Sequence, residues 1–283
     1  MIKGSCYCGT VRYEVSGPFN SMVNCHCSMC RKHHGSPFAT YVSAPITNFR
    51  WIGGEDSLIR YEASERGTRD SCKVCGSAVP KLMPDHGLAL LPAGPLEGDL
   101  GIVPQAHIFV GSKAPWYAIT DTLPQHEEFP PQYGMPGLQR ASVQARPGIT
   151  EGSCLCSDVA YEVQGTPMFM QSCHCQRCRR SKGAAYATNM FYKASQFRWT
   201  RGEELVGNYK LPEARFSTSS FCRQCGAVMP RVSKERDMAV IAAGSLDTDP
   251  PMRSQRHIFT SYKASWFEIT DSAPQFPEAP PPG

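Results

Sequence analysis

The sequence predicts a mainly β protein built from two tandem domains. Seven of its 14 cysteines recur at matching positions in the second half of the chain. Short runs rich in Val, Tyr, Thr, Phe and Ile are separated by Gly, Pro, Asn and Ser about every eight to twelve positions, which is typical of all-β domains. The 283 residues, 41% hydrophobic and 19% charged, are enough for two globular units of ordinary size.

The repeat has an offset of 148 positions, which becomes 150 after Tyr61 and Tyr209. Gly-Ser-Cys-x-Cys at 4 recurs at 152, and His-Ile-Phe at 107 recurs at 257. A period of this length indicates domain duplication, because solenoid repeats run at about 20 to 50 residues. The expected division is a first domain at 1–133, a linker at 134–148, a second domain at 149–277 and a tail at 278–283.

The local pattern predicts strands for most of each half. Alternation of apolar and polar residues predicts half-buried strands at 11–15 and 159–163. Apolar runs predict later strands at 108–110 and 116–119 and at the matching positions 258–259 and 266–269. Helix is expected at only two places, 27–34 and 175–182, each of one or two turns.

Composition limits the location and the partners. No apolar stretch approaches the roughly 18 residues of a membrane span, and the first residues lack the apolar core of a secretion signal, so we expect a cytoplasmic protein without a membrane partner. The formal charge of +4, from 29 basic and 25 acidic residues, is small and dispersed. This charge argues against nucleic acid as a partner, and no run of aromatic residues accompanies the basic cluster at 177–182.

The cysteines form the same three motifs in each half, namely C-x-C, C-x-C-x-x-C and a distant C-x-x-C followed by Gly. A complete disulfide framework would leave one of seven thiols unpaired, whereas in a reducing compartment thiols at short fixed spacings are more often metal ligands. Zinc takes four protein ligands at a structural site and three at a reactive one, so seven thiols divide into four plus three. We therefore expect a structural and a reactive zinc in each half, up to four per chain.

Spacing indicates which thiols share a metal, because sulfurs about 2.3 Å from one zinc lie within about 4 Å of one another. The two remote pairs can close one site, and the Gly after the second pair favours a tight turn with positive φ. These pairs are Cys6, Cys8, Cys72 and Cys75, and in the second half Cys154, Cys156, Cys222 and Cys225. The three thiols of the middle motif form the other site, and they are Cys25, Cys27 and Cys30, and then Cys173, Cys175 and Cys178.

The fourth position at each triplet decides its chemistry. His26 and His174 lie inside the triplets and are candidates for a closing ligand, but a residue flanked by two ligands tends to point away from the metal, so we favour an open position. His107 and His257 lie in apolar runs, where buried and hydrogen-bonded histidines are more common than ligands.

An open three-thiolate zinc favours thiol chemistry. Three thiolates leave the site with a formal charge of −1, which weakens activation of water, whereas a thiol would have its pKa lowered and stay nucleophilic. We expect that sulfur to add to a small electrophile. Neighbouring cations could bind the carboxylates of an anionic thiol such as glutathione, although surface Lys and Arg residues are also common without such a role. These cations are Arg31, Lys32, Arg179 and Arg180.

These motifs resemble the glutathione-dependent formaldehyde-activating enzyme family, shared with centromere protein V, over nearly the whole of both halves. The resemblance rests on Gly-Ser-Cys-Tyr-Cys-Gly at 4–9, Cys-His-Cys-Ser-Met-Cys-Arg-Lys at 25–32, Cys-Lys-Val-Cys-Gly-Ser at 72–77, and the matching motifs at 152–156, 173–178 and 222–226. It implies two β-tent domains similar to Mss4-like domains, with the same division of zinc ligands. It also implies carbon–sulfur lyase activity, in which glutathione and formaldehyde give S-(hydroxymethyl)glutathione.

Several alternatives remain open at this point. The duplication departs from the single-domain pattern of the family, so another thiol or electrophile could be the substrate. A non-catalytic zinc-stabilised scaffold module is the second interpretation, and a redox protein without the expected βαβ context is the third. We expect the halves to form a pseudo-twofold pair within a monomer, or the chain to form a homodimer. Proton carriers could be Tyr41, Tyr186, Asp121 and Asp271, although structural roles are favoured for all of them.

Overall fold

The computed structural model describes residues 1–64, 67–130, 145–214 and 218–281. Residues 134–144 of the expected linker and the last two residues of the expected tail lie outside these ranges. Within the described ranges the chain is mainly β with two α-helices, each of seven residues, which confirms the predicted fold class. Neither helix has the length and apolar character needed to cross a bilayer.

The first half contains three sheets and helix α1 (Ser28–His34). Its strands are β1 (Ile2–Ser5), β2 (Arg12–Val15), β3 (Ser21–Cys25), β4 (Ala39–Pro45), β5 (Phe49–Gly53), β6 (Leu58–Ser64), β7 (Gly67–Cys72), β8 (Lys81–Met83), β9 (Leu88–Pro92), β10 (Ala106–Ile108) and β11 (Gln125–His126). The sheet orders are β1-β2-β5, β6-β7 and β11-β10-β3-β4-β9-β8. Strand β10 runs parallel to β3 and β11, and the other pairs are antiparallel.

The second half repeats this arrangement around helix α2 (Gln176–Lys182). Its strands are β12 (Ile149–Ser153), β13 (Ala160–Gln164), β14 (Phe169–Cys173), β15 (Ala187–Tyr192), β16 (Phe197–Arg201), β17 (Val206–Lys210), β18 (Thr218–Cys222), β19 (Arg231–Ser233), β20 (Met238–Ala242) and β21 (His257–Ile258). The sheet orders are β12-β13-β16, β17-β18 and β19-β20-β15-β14-β21. Short 3-10 helices lie at Ile46–Asn48, Glu55–Ser57, Pro84–His86, Val110–Ser112, Ala194–Gln196, Glu203–Leu205, Ala243–Ser245 and Thr260–Tyr262.

The local predictions are confirmed in part. The expected strands at 108–110 and 258–259 contain only the last residue of β10 and of β21, because Phe109 and Phe259 have positive φ and end the strands. The alternating segments form β2 and β13, and the two expected helices are α1 and α2. The prediction of strands at 116–119 and 266–269 is wrong, because both segments lie in turns and irregular chain. The tryptophan of each segment is buried by insertion into the other half, a use of an apolar run that the sequence pattern does not distinguish from a strand.

The two hydrophobic cores exchange these segments. Trp116, together with Ala114, packs in the core of the second half beside Tyr161. In return, Trp266 and Ala264 pack in the core of the first half. Both indoles are nearly inaccessible to solvent. Each half therefore depends on the other to complete its core, and the exchange relates the halves as a pseudo-twofold pair.

Helix ends pack closely across the same interface. A Cβ atom added to Gly244 would lie 2.3 Å from the backbone nitrogen of Ser36 and 2.5 Å from the carbonyl oxygen of Arg31, at the end of α1. A Cβ atom added to Gly94 would lie 2.4 Å from the carbonyl oxygen of Ala184, after α2. Distances this short require glycine at both positions, so the backbones of the two halves are in direct contact.

A matched pair of salt bridges flanks these contacts. The ammonium of Lys32 lies 2.5 Å from the carboxylate of Asp247 and donates to both the carbonyl and the hydroxyl of Ser153. At the equivalent place, Arg180 pairs with Glu97. The side chain of Lys32 is only 3% exposed, whereas that of Arg180 is 27% exposed. The same interaction is therefore buried on one side of the interface and open to solvent on the other.

The exchanged tryptophans predict that a core substitution in one half also destabilises the other half. We expect Trp266→Ala to lower the free energy of unfolding by about 3–5 kcal/mol, because it leaves a large cavity. Hydrogen exchange should rise in β4 of the first half, which the indole helps to bury. Tyr262→Ala, at a side chain that is 48% exposed, is the control and should change stability by less than about 0.5 kcal/mol. Faster exchange confined to the second half would contradict the exchanged core.

Candidate metal centres

The structure gathers all 14 cysteines into four clusters that could hold metal ions, and within each the sulfurs lie within 4.8 Å of one another. Two clusters have four sulfurs and two have three. The larger ones are Cys6, Cys8, Cys72 and Cys75, and Cys154, Cys156, Cys222 and Cys225. The smaller ones are Cys25, Cys27 and Cys30, and Cys173, Cys175 and Cys178.

The spacing and chemistry of these donors fit zinc. A tetrahedral ion with Zn–S bonds of about 2.3 Å requires sulfurs about 3.8 Å apart, and soft thiolates are preferred zinc ligands. The sulfurs of Cys6 and Cys8 are 3.4 Å apart, and those of Cys8 and Cys72 are 3.8 Å apart. In the second half, the sulfurs of Cys154 and Cys156 are 3.3 Å apart. Small adjustments would bring these clusters to tetrahedral geometry.

Each four-sulfur cluster joins the loop after the first strand of its half to a later hairpin. Cys6 follows β1, and its sulfur accepts a hydrogen bond from the backbone N–H of Val11. Cys72 ends β7, and its carbonyl accepts from the N–H of Gly76 in the turn that contains Cys75. Gly76 has a φ of +71° and its counterpart Gly226 a φ of +70°, so the expected positive φ is confirmed at both.

The hairpin of the opposite half covers each four-sulfur cluster. Leu211 and Ala214, which follow β17, pack in the apolar cluster that contains Cys6 and Cys72. The rings of Tyr7 and Tyr209 meet edge to face, with centroids 5.8 Å apart. Tyr61 and Ala63 of β6 pack in the corresponding cluster of the second half. The four-sulfur clusters are therefore part of the interface between the halves.

The triplets are built where a strand meets a short helix. Cys25 ends β3, Cys27 caps the N-terminus of α1, and the N–H of Cys30 donates to the sulfur of Cys27 over 3.4 Å. Gly35, with a φ of +62°, then ends the helix. The second half repeats this geometry at α2. Within the described parts of the chain, no further His, Cys, Asp or Glu ligand atom joins either triplet.

Contacts between the sulfurs favour one thiolate in each triplet. Hydrogen bonds from the Cys25 and Cys27 thiols hold the pKa of Cys30 well below its usual range. In the second half, the thiols of Cys173 and Cys178 lower the pKa of Cys175 to about 3. Neighbouring sulfurs thus share protons around one negative charge, and a bound cation would displace the remaining protons.

The histidines inside the triplets point away from the sulfurs. His26 Nε2 lies 2.7 Å from His107 Nδ1, and His107 Nε2 lies 3.0 Å from an oxygen of Asp121. The carboxylate accepts from His107 Nε2–H, so His107 Nδ1 is an acceptor and His26 donates through Nε2–H. Burial lowers the pKa of His26 to about 2, which keeps this ring neutral. The arrangement gives both histidines structural hydrogen bonds, and His107 is buried and bonded as expected.

The second half contains the same chain of groups. His174 Nε2 lies 2.8 Å from His257 Nδ1, and His257 Nε2 lies 3.0 Å from an oxygen of Asp271. These chains tie the triplet loops to β10 and β21 and to the segments that follow them. The apolar context of His107 and His257 indicated their burial, but residue spacing gave no signal of the pairing with His26 and His174.

The first triplet has polar neighbours that sequence reasoning missed. Arg69 donates through Nη2 to the sulfur of Cys30 over 3.6 Å, and the Tyr41 hydroxyl lies 3.8 Å from the same sulfur. His34 Nδ1 donates to the carbonyl of Lys182, so His34 Nε2 accepts the Tyr41 hydroxyl proton over 2.9 Å. The Tyr41 proton is thus directed away from the sulfur. The sequence signal for Arg69 is its place three residues before Cys72.

The four cations expected to bind substrate lie on α1 and α2 but differ in their surroundings. The three contacts of Lys32 described above account for its three ammonium donors. Arg180 is paired with Glu97. Arg179 Nη1 reaches the carbonyl of Gly94 over 3.3 Å, and its buried Nε has no hydrogen-bond partner. Arg31 is half-buried in α1.

Removal of the carboxylate at the end of the first histidine chain should destabilise the protein. Asp121→Ala leaves the buried His107 Nε2–H and the N–H of Leu123 without their acceptor, at an expected cost of about 1–3 kcal/mol. Urea unfolding measures this cost. Asp99→Ala removes only a bond to Gly101 in an exposed loop and is the control. Equal stability of the two variants would contradict the structural role of Asp121.

Burial of His34 predicts an acid-sensitive fold, because burial lowers its pKa from 6.5 to about 4. Between these values the unfolded chain binds a proton that the folded chain does not. Stability is therefore complete above about pH 6.5 and falls by up to about 1.4 kcal/mol per pH unit towards pH 4.

His34→Gln, which keeps a donor and an acceptor, should be less stable than the parent at pH 7.5 but have a shallower pH dependence. Urea unfolding at several pH values, with zinc content measured in each sample, tests this expectation. Identical slopes for variant and parent would show that His34 does not titrate as expected.

Comparisons with known proteins agree with the motifs. The model of the family described as glutathione-dependent formaldehyde-activating enzyme matches residues 1–112 and 149–262. A Halomonas elongata protein named "Putative glutathione-dependent formaldehyde-activating enzyme" is 31% identical over 161 residues, which cover 54% of this chain and 99% of that protein. A crystal structure of a Rhodobacter sphaeroides protein, 28% identical, matches 36% of this chain and 97% of its own with a TM-score of 0.30. The resemblance is therefore confirmed, and the chain belongs to the glutathione-dependent formaldehyde-activating enzyme family, with two consecutive copies of the family domain.

Proposed function

We propose that the protein is a zinc-dependent carbon–sulfur lyase acting on glutathione, or a similar thiol, and formaldehyde or another small electrophile. The observation that carries the proposal is the pair of compact three-sulfur clusters, which no fourth ligand joins within the described residues. Membership of the family supports the glutathione and formaldehyde chemistry. The reaction would add the thiol sulfur to the carbonyl carbon and a proton to the carbonyl oxygen.

The proposed zinc ligands follow the four clusters. The four-sulfur clusters would be structural, since the two hairpins that each one joins come from distant parts of its half. The catalytic ligands would be Cys25, Cys27 and Cys30, and Cys173, Cys175 and Cys178. A zinc ion bound there would offer a coordination position that favours the thiolate form of a substrate thiol.

Protein groups around the triplets would position the substrate. Arg179 is the best placed of the expected cations, because it lines a cavity beside α2 and, within the described residues, has no carboxylate partner, whereas Lys32 and Arg180 each have one. A substrate carboxylate could accept from this guanidinium. Backbone N–H groups that donate to Cys27 and Cys175 would stabilise the negative charge of these sulfurs.

The remaining proposals concern assembly and location. The exchanged cores favour a monomer that acts as an intramolecular pseudo-dimer, with domains at 1–133 and 149–277 joined by the linker at 134–148. A reducing compartment such as the cytoplasm would keep the clustered thiols available for metal binding.

The test is the double variant Cys27→Ser and Cys175→Ser, which changes one ligand in each triplet. We expect it to lower glutathione-dependent turnover of formaldehyde by more than about 100-fold, because both sites lose a sulfur ligand. The zinc content should fall from about four towards two ions per chain, since the two four-sulfur clusters are intact. The two single variants would show how much each copy contributes.

The control is Tyr262→Ala, which changes an exposed side chain and should keep both zinc content and turnover. Unchanged turnover in the double variant would refute the proposal. Four retained zinc ions with no exchangeable position, and no turnover in the parent protein, would favour the scaffold module.

A further inference from the structure

The two triplets differ in their access to solvent. The first is closed, with relative exposures of 5% for Cys25, 4% for Cys27 and 2% for Cys30. In the second triplet Cys173 is buried, but Cys175 and Cys178 are only half-buried. An incoming thiol must approach the sulfurs to share their metal, so this difference bears directly on which copy can bind a substrate.

Side chains that cover the first triplet have smaller or polar counterparts in the second half. The apolar cluster around the first triplet includes Ile108 and Phe109, and it also receives Met29, Tyr41 and Phe129. The Phe129 ring meets Phe109 edge to face, with centroids 4.6 Å apart. The repeat places Arg177, Asn189 and Ala279 at the positions equivalent to Met29, Tyr41 and Phe129. The cover of the first triplet is thus not reproduced at the second.

Charge is also distributed differently at the two triplets. Arg69 donates to the sulfur of Cys30 and places a permanent positive charge against the first triplet. The equivalent residue is Ser219, which instead donates its hydroxyl to the carbonyl of Cys75 in the other half. Cations also lie near the second triplet, where Lys182 and Arg231 interact electrostatically with Cys178. The difference is that the first triplet has a guanidinium hydrogen-bonded directly to one of its sulfurs, beneath an apolar cover.

Helix α2, which has Cys175 at its N-cap and Cys178 in its first turn, lines a cavity of about 750 Å³ between the two halves, a size typical of small-molecule sites. Gln176 and Arg179, which directly follow Cys175 and Cys178 in the chain, line it together with Arg180. The first half contributes residues 94–99 and 101–103, and the second half adds Lys263–Trp266. The cavity thus reaches the helix that carries the half-exposed cysteines, although the cysteines themselves do not line it.

Charges in this cavity suit an anionic ligand. Its basic side chains are Arg179, Arg180 and Lys263, and its acidic side chains are Glu97 and Asp99. Glu97 is paired with Arg180, and an oxygen of Asp99 accepts from Gly101 in its own loop. Arg179 forms no salt bridge with any residue that the structure describes, and its Nη1 donates to the carbonyl of Gly94. A ligand carboxylate could therefore bind Arg179 without breaking an existing salt bridge.

Resting on the function proposed above, we infer that the two duplicated centres are unequal. The second triplet and the adjoining cavity form the binding site for a carboxylate-bearing thiol. The first triplet, beneath Met29, Tyr41 and Phe129, holds its ion as a closed centre that excludes the thiol. Arg179 is the positioning residue that selects an anionic thiol over a neutral or cationic one.

Cysteine alkylation of the full-length, zinc-loaded protein, followed by mass spectrometry of individual peptides, tests this inference. We expect iodoacetamide to modify Cys175 and Cys178 at least about tenfold faster than the first triplet, because alkylation follows exposure. Glutathione also consumes iodoacetamide, so protection is measured as the ratio of the second-triplet rate to the first-triplet rate, which this consumption does not change. Glutathione should lower that ratio. Equal rates at the two triplets without glutathione, or a ratio that glutathione leaves unchanged or raises, would overturn the inference.

Reciprocal variants test whether the aromatic side chain at position 129 shields the first triplet from solvent. Phe129→Ala should speed alkylation of the first triplet by about fivefold or more and leave the second unchanged, whereas Ala279→Phe should slow alkylation of the second. Urea unfolding identifies any variant that is globally destabilised. If one variant of the pair is destabilised, the alkylation rates of the other variant test whether residue 129 shields the first triplet. No change in either properly folded variant would overturn the proposed cover.

Arg179→Gln tests the selection of an anionic thiol. It should weaken protection by glutathione about tenfold and leave protection by cysteamine, a thiol without carboxylates, unchanged. Equal loss of protection with both thiols would overturn the role of Arg179.

These binding measurements are independent of turnover. Protection confined to the second triplet without carbon–sulfur product would support the inequality and refute the proposed reaction. Product formation with protection at the first triplet would support the proposed reaction and refute the inequality of the two triplets.

Discussion

Close packing of thiol sulfurs is the constraint on which the rest of the structure depends. Neighbouring sulfurs in the four-sulfur clusters lie 3.3 to 3.8 Å apart, in largely buried surroundings. Thiolates at such distances would repel one another, and neutral thiols form only weak hydrogen bonds in place of their lost hydration. A divalent cation would remove both costs, and the fold around each cluster would then be coupled to metal binding. The short strands and two-turn helices have little regular structure of their own with which to replace that coupling.

The cysteine clusters are built into the interface between the halves. Each four-sulfur cluster is covered by the hairpin of the other half, and each core receives a tryptophan from the other half. Helices α1 and α2, which carry the triplets, end against glycines of the opposite half. Metal binding in one half would therefore contribute to the order of the other. The interface also creates the cavity beside α2, which neither half would form alone.

The sequence was sufficient for the repeat, the sheet-rich fold and the grouping of the cysteines, because these depend on spacing within short motifs. It was not sufficient for the segment around Trp116, where an apolar run is buried against a distant part of the chain. The pairing of Lys32 with Asp247 could not be predicted from the sequence either, because a helix of the first half places that lysine at the interface with the second half. Arg69 and the partnership of His26 with His107 depend on the tertiary fold in the same way. Local patterns identify what a residue can do, whereas contacts between distant segments decide what it does.

The mutual insertion of Trp116 and Trp266 has a consequence for how assembly depends on concentration. Two separate chains that completed each other's cores would come apart on dilution, because their association is bimolecular. Here a single polypeptide supplies both partners, so each half is held at a high effective concentration for the other. The pairing of halves is thus an intramolecular step whose equilibrium does not change with the amount of protein in the cell. Covalent fusion also allows the two copies to diverge, because a substitution in one copy does not change the other, as it would in a dimer of identical chains.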